Sequence, residues 1–322
     1  MEKFNSNNLE KESFYPNSCV ELLRNFEKKT PLSPGKKLNF SGVNGFDVYN
    51  ISAPFQIGNK TYISGRVEER EALAHSQVKF FEENNGIWSP SKDTPTLSLE
   101  DGFVTKIGDK LVVGGVEVYP IHTKVDPKST GYRTAFYCGQ DLNSLEKFTT
   151  GPNKMKDIRL TALSNNKIGV FTRPQGGTNG GGKIGYIEIE SLEDLNSENI
   201  LSAEIIENQF APGEWGGENE LHLLPDGRIG VLGHIAYKDL EGDRHYYAMS
   251  FIYDTKTHTS SPVEIIATRK NFPEGDAKIP ESTDIIFSGG LVRHENGTAI
   301  LYAGLSDAEA GSIEIPDPFI GK

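Results

Sequence analysis

The sequence predicts an all-β fold, a five-bladed β-propeller with a short N-terminal helical segment, and three observations predict it. A phrase of apolar strand, tight polar turn and apolar strand recurs five times between Phe55 and Gly304. Its turns fall about every 50 to 70 residues, the long end of propeller-blade spacing. The 322 residues include 34 glycines and 10% aromatics with only short helical patterns, and no linker separates the copies.

Residues 1–40 are expected to form an extension. Within it Asn17 or Ser18 can cap a helix over residues 17–28, whose Cys19, Leu22, Leu23 and Phe26 make one apolar stripe. That helix is expected to lid the ring or pack on its side. Residues 41–322 are expected to be the propeller. Its hairpins are expected to turn at Asn59-Lys60, Asp109-Lys110, Asn166-Lys167, Asp226-Gly227 and Asn296-Gly297.

An antiparallel pair brings the chain back to the end it entered, so strand entries and exits share one rim. The entries carry Asn50, Glu100, Asp101, Asp157, Arg159, Glu218, Glu220 and, further back in its copy, Asp284. The exits carry Arg66, Glu117, Arg173, His234 and Asp307. One rim is therefore crowded with carboxylates, arginines and a histidine. The opposite rim carries turn residues.

Net charge −12 and pI ≈ 5.2 argue against nucleic acid, whose phosphates select clustered Lys and Arg. The N-terminal stretch has no apolar run, so neither signal peptide nor membrane span is expected and the chain reads as cytoplasmic. Cys19 and Cys138 are too few for a disulfide framework and read as buried free thiols. The seven histidines lack paired ligand spacing, so no metal is expected. The glycine-rich stretch 176–183 nearly spells a phosphate-cradling loop, but Ile184 stands where the magnesium-holding hydroxyl belongs. It reads as a flexible hairpin loop.

A rim of carboxylates and arginines suits sugars, whose hydroxyls bond to Asp and Glu and whose ring faces stack on aromatics. Cleavage of a glycosidic bond needs one acid, and then either a carboxylate-activated water or a phosphate held by cations. Both sets of residues are present.

The stretches 62–70, 99–110, 157–160 (Asp-Ile-Arg-Leu), 171–175 (Phe-Thr-Arg-Pro-Gln), the Gly233-His234 exit, 286–293 and 301–307 resemble, in order, the blade motifs of the five-bladed mannoside phosphorylases and hydrolases of glycoside hydrolase family 130. The resemblance covers about residues 45–310 and is closest to the DUF1861 branch of that superfamily. It implies inverting cleavage of a β-mannoside or similar oligosaccharide, by hydrolysis or phosphorolysis, with Asp101 as proton donor acting through a sugar hydroxyl. Arg66, Arg159, Arg173 and His234 then bind phosphate or the sugar at the cleavage point, and Asp307 grips a substrate hydroxyl. Asn50, Asp157 and Asp284 complete the binding rim. No cofactor is implied beyond inorganic phosphate as a co-substrate, and homo-oligomerisation is left open.

The chain departs from the phosphorylase pattern at Glu214-Trp-Gly-Gly-Glu-Asn-Glu220. There Trp215 offers a stacking platform, and Glu218 or Glu220 can activate water or repel phosphate. Gly102-Phe103 replaces a Pro-Arg, removing one cation. Two alternatives stay open. One is a non-catalytic sugar-binding or scaffold propeller; the other is a furanosidase-type propeller using Asp47, Asp157 and Glu218 or Glu220.

Overall fold

The computed structural model describes residues 16–70, 76–121 and 129–321; residues 1–15 of the expected extension lie outside the described residues. All five phrases fold as antiparallel hairpins. The pairs are Phe55–Ile57 with Lys60–Glu68, Glu100–Ile107 with Lys110–Pro120, Arg159–Ala162 with Ile168–Thr172, Trp215–Leu223 with Ile229–Lys238, and Asp284–Arg293 with Thr298–Leu305. A further antiparallel strand follows each: Gln77–Asn84, Thr130–Gly139, Gly185–Ile189, Arg244–Asp254 and Glu309–Pro316. The middle strands read as nearly unbroken apolar runs, as in Ile229–Lys238, because they are covered on both faces.

The turns differ from expectation by one residue. Ile57 pairs with Lys60 and Ile107 with Lys110, so the first two turns are Gly58-Asn59 and Gly108-Asp109. Their leading glycines take φ of 59° and 61°, the sign a two-residue hairpin of type II′ requires at that position. The other three connections are three-residue loops, 164–166, 225–227 and 295–297, each ending in a left-handed residue (Asn166, Gly227, Gly297).

The strands form four sheets, of four, four, six and nine strands. In the nine-stranded sheet the fourth and fifth hairpins join through a short parallel pairing of His245 with Asp284 and Tyr246 with Ile285. The arrangement is an all-β, propeller-like one. Its hydrophobic core is divided into layers that follow the chain. Tyr62 and Phe80 meet Leu99 and Val113, then Phe103 and Phe136 meet Leu160 and Val170, and Phe171 and Tyr186 meet Val231 and Phe251. Leu232 and Ile252 meet Leu291 and Leu301, and the last layer returns to the first hairpin, where Ala310 packs with Ile63 and Phe81. At the same closure Gly289 lies against the Ile51 carbonyl with no room for a Cβ.

The stretch up to residue 40 takes part in this closure. Lys36–Lys37 adds an antiparallel strand to Glu309–Pro316, and Asn39–Phe40 a parallel one to Ile87–Pro90. The helix runs Cys19–Glu27; Ser18 and Glu21 bond reciprocally to each other's backbone N–H as a capping box. Cys19, Leu22, Leu23 and Phe26 bury onto the layer between the third and fourth hairpins, so the helix packs on the side. Cys19 is buried and Cys138 half-buried, both free. No described helix is long and apolar enough to cross a membrane.

Candidate active site

The strand entries share an uncommon backbone. Asn50, Asp101 and Asp157, which open the inner segments of the first three repeats, have φ of 44°, 50° and 61°. Left-handed conformations of non-glycine residues cost free energy and are tolerated where surrounding contacts fix them, as at functional sites. Each side chain here is buried and bonded, which supplies those contacts.

Asp101 accepts a 2.7 Å hydrogen bond from Asn50 Nδ2 and lies 3.2 Å from Arg66 Nη1. Arg66 is shared further with Glu68 (3.1 Å) and Glu100 (3.3 Å), and its Nε donates to Ser76. Lys278 and the Tyr49 hydroxyl also engage Glu68. Burial pushes the Asp101 carboxyl up, but Arg66, Lys156 and the Asn50 hydrogen bond outweigh it and hold the group below the usual carboxylate range. Asp101 is therefore held as an ionised acceptor. Asp307, also left-handed, is pushed the other way, by its own burial and then by the charge of Asp101.

The third and fourth repeats supply the second half of the site. Arg173 pairs with Asp157 at 3.2 Å and donates to the carbonyls of Gly216 and Gly181. Arg159 donates to the carbonyls of Asn219 and Ile158 and lies over the Phe103 ring at 4.3 Å. His234 Nδ1 bonds to Asn219 Oδ1 at 3.0 Å. Burial pushes the ring's pKa down to about 3, against the pull of Asp157, so the imidazole is neutral, and a proton on Nδ1 leaves Nε2 as an acceptor. The resemblance implies that His234 binds phosphate or the sugar; as a neutral ring it would do so as an acceptor rather than as a cation.

Glu218 has no exposed surface, and neither of its carboxylate oxygens has a hydrogen-bond partner among the described residues. Burial, then the charge of Asp157, pushes its pKa well above the ordinary value, which favours the protonated acid. Glu220, two residues on, is separated from it by a β-bulge at Asn219. Its Oε2 accepts from Leu291 N–H and bonds the His222 ring, both at 2.7 Å. It lines a cavity of about 210 Å³ with Arg159 and Asn219, whose walls include none of Asp101, Arg66, Arg173 and His234. Asp284 also stands apart, bonded to His245 (2.8 Å) and Tyr247 (2.7 Å). Thus Asn50, Arg66, Asp101 and Asp307 gather on one side and Asp157, Arg159, Arg173, Glu218 and His234 on the other. The two groups lie within electrostatic reach of each other through Asp101 and Asp157.

Trp215 is half-buried, its Nε1 donates to Tyr246 OH at 3.2 Å, and the Tyr246 ring stacks on His234 at 5.6 Å. The Phe287 ring lies 5.4 Å from that of His234. Tyr246 and Phe287, both half-buried, carried no sequence signal, because strand aromatics look alike whichever wall they join. The loop at 176–183 is engaged with this wall, Gly181 lying against the Trp215 ring and Gly182 against the Arg173 guanidinium. Lys156, also missed, stands directly before Asp157 among the entry charges. Among the described residues no group of three or more His, Cys, Asp or Glu side chains is arranged to hold a metal.

Residues 24–321 match the family described as "Protein of unknown function (DUF1861)". The chain belongs to the DUF1861 family. No curated protein matches this DUF1861 chain. Among solved structures it is similar to MPT-4, a mannose phosphorylase from Leishmania mexicana in complex with phosphate ion (34% identity, 93% of each chain, TM-score 0.86). It is likewise similar to MPT-1, a GDP-Man-dependent mannosyltransferase from the same organism (35% identity, 95% of this chain and 97% of that one, TM-score 0.86). A structure described with the GH130 family of mannoside phosphorylases shares the fold at 15% identity (85% of this chain, 87% of that one, TM-score 0.58).

Proposed function

We propose that this DUF1861 protein is a mannoside-active enzyme that transfers a mannosyl group to and from phosphate, within a five-bladed propeller. The fivefold reading is supported by five hairpins with five core layers between them and by a cavity whose walls draw on all five. The observation that carries the activity is that the chain is about a third identical, over more than nine-tenths of its length, to a mannose phosphorylase and a mannosyltransferase. The Asp101 centre fits that chemistry. In bond formation its ionised carboxylate takes the acceptor hydroxyl's proton, directly or through a neighbouring sugar hydroxyl, and in cleavage the same group returns it. Arg66, Arg159 and Arg173 shape the surrounding charge, neutral His234 offers Nε2 to a hydroxyl, and Trp215 offers a stacking face.

Hydrolysis is less well supported. Glu218 is protonated and enclosed and Glu220 is tied to Leu291 and His222, so neither is free to activate water. A furanosidase reading meets the same objection: Asp47 is bonded through both oxygens to Arg70 and Asp157 is paired with Arg173. A non-catalytic binder would not need an ionised carboxylate on a strained backbone.

The test is incubation of the protein with β-manno-oligosaccharides with and without inorganic phosphate, and in reverse with mannose 1-phosphate or GDP-mannose plus mannose. Phosphate-dependent release of mannose 1-phosphate, or chain growth in the reverse assay, is expected. Free mannose released at the same rate without phosphate would overturn the reading in favour of hydrolysis, and no turnover in either direction would favour the binder.

A further inference from the structure

Trp215 is held in place from a distant part of the chain. The segment before it turns at Ala211-Pro212-Gly213-Glu214, where Glu214 N–H donates to the Ala211 carbonyl at 3.0 Å and Gly213 takes a φ of 86°, the sign a type II turn requires at its third residue. Glu214 Oε1 then accepts from the Cys19 N–H at 2.7 Å, across 195 residues. The first N–H groups of a helix have no partner within it. Ser18 and Glu21 serve two of these donors reciprocally, and Glu214 serves that of Cys19, where its charge also suits the helix N-terminus. The other oxygen of Glu214, Oε2, is buried and has no hydrogen-bond partner among the described residues. That burial costs free energy, which a cap left in solvent would avoid.

The residues after Glu214 lead straight into the site. Trp215 pairs with Ala236 and Ala236 with Tyr246, so the three stand in one row across the sheet. The Trp215 and Tyr246 rings meet edge to face at 5.9 Å, the indole N–H donates to the Tyr246 hydroxyl, and the Tyr246 ring stacks on His234. Gly216 has no room for a Cβ between the His234 carbonyl and the Phe210 ring, and Gly217 none between the Arg173 side chain and the His234 ring. Phe210 itself packs on the layer that holds Cys19 and Leu22. A shift of Glu214 is thus passed to Trp215, and through it to the wall around His234, because close-packed neighbours leave no slack.

We infer that Glu214 is a positioning residue, which clamps Trp215 against the first turn of the helix Cys19–Glu27 and so fixes the aromatic face that a sugar ring stacks on. The helix is then part of the site's construction and not only a cover for the side of the ring. The effect on sugar turnover rests on the mannosyl-transfer reading given above; the clamp itself does not.

The experiment uses the full chain and the fact that Trp88 and Trp215 are its two tryptophans. In a Trp88→Phe background the emission and acrylamide quenching of Trp215 are read for the parent, Glu214→Ala and Glu214→Gln, with thermal melts confirming that each is folded. The KM and kcat for phosphate-dependent cleavage of β-mannobiose, and its affinity by calorimetry, are measured on the same proteins and on Trp215→Ala with and without Glu214→Ala. Glu214→Ala should red-shift and expose Trp215 and raise the β-mannobiose KM about 3- to 10-fold, the size of one aromatic contact, with a smaller change in kcat. Glu214→Gln keeps an acceptor for the Cys19 N–H and should behave as the parent. In the Trp215→Ala background Glu214→Ala should add nothing, since the two act through one contact. Unchanged Trp215 emission and quenching in folded Glu214→Ala overturn the inference. An equal rise in KM or loss of affinity with Trp215 already removed overturns it as well, because Glu214 would then act by another route. If β-mannobiose is bound but not turned over, the proposed reaction falls, while the emission and affinity arms still decide the clamp.

Discussion

Arg173 Nη1 stands 3.2 Å from Asp157 Oδ2 with 3% of each side chain exposed, at the junction of the third hairpin's entry and exit. The pair is anchored on both sides, Arg173 by two carbonyls and Asp157 by a left-handed backbone. Breaking such a pair from one side leaves a buried charge without a partner, which costs more than the pair itself contributes.

Arg173→Ala should therefore lower stability by about 3–5 kcal/mol, read from urea denaturation, while Asp157→Asn with Arg173→Met should recover much of the loss. If Arg173→Ala costs under about 1 kcal/mol, within the range of exposed pairs, the pair does not hold this part of the rim together.

Asp101→Asn keeps the shape and the Asn50 and Arg66 neighbours but removes the proton-exchanging group. Mannosyl transfer should fall about 100-fold or more, in kcat, with sugar binding by calorimetry largely kept. Full activity of the variant on a substrate the wild type turns over would end the role given to Asp101.

Glu218 offers a test of stability against pH. Its folded pKa is raised above the ordinary value of 4.5, so the native state keeps a proton that the unfolded chain releases. Stability is then lost as pH rises from the ordinary value toward the folded one, by about 1.4 kcal/mol for each pH unit between the two. Glu218→Gln should be more stable than the parent at neutral pH, with the gap closing as pH falls below about 4. A gap that stays constant from acid to neutral pH would show that Glu218 is ionised in the native protein.

His245 lies between Asp284 and Asp239, at 2.8 and 3.1 Å. Burial alone lowers its pKa, but the hydrogen bonds to Asp284 and then Asp239 outweigh it, and the net shift is upward. Its contribution is fully present below the unfolded pKa of about 6.5 and is lost as pH rises through the folded value. His245→Gln should accordingly destabilise more at pH near 6 than in mildly alkaline buffer, by up to about 1 kcal/mol for a partly exposed pair. Guanidinium melts at both pH values read this; an equal or reversed difference would contradict the ion pair.

Much of the architecture was legible before folding. Five apolar phrases with Gly and Asn at their reversals required hairpins, because apolar alternation and turn chemistry act over a few residues and are written locally. A cap at Asn17 or Ser18 and the stripe of Cys19, Leu22, Leu23 and Phe26 likewise pointed to the helix. The sequence also marked out the charged rim, since antiparallel geometry alone brings Asp101, Arg66, Asp157 and Arg173 to strand ends on one side.

Only the tertiary structure decided what those side chains are. Protonation depends on enclosure and on neighbours far apart in the chain. His234 is neutral because burial behind Tyr246 and Phe287 disfavours its charge, and the Glu218 carboxyl is pushed toward its protonated form by its own burial and then by the charge of Asp157. The bulge at Asn219 sends Glu220 to Leu291 and His222, a pairing across 71 residues that spacing could not reveal. Lys156 looked like any surface lysine until folding set its charge where it helps hold the carboxyls of Asp101 and Asp157 down.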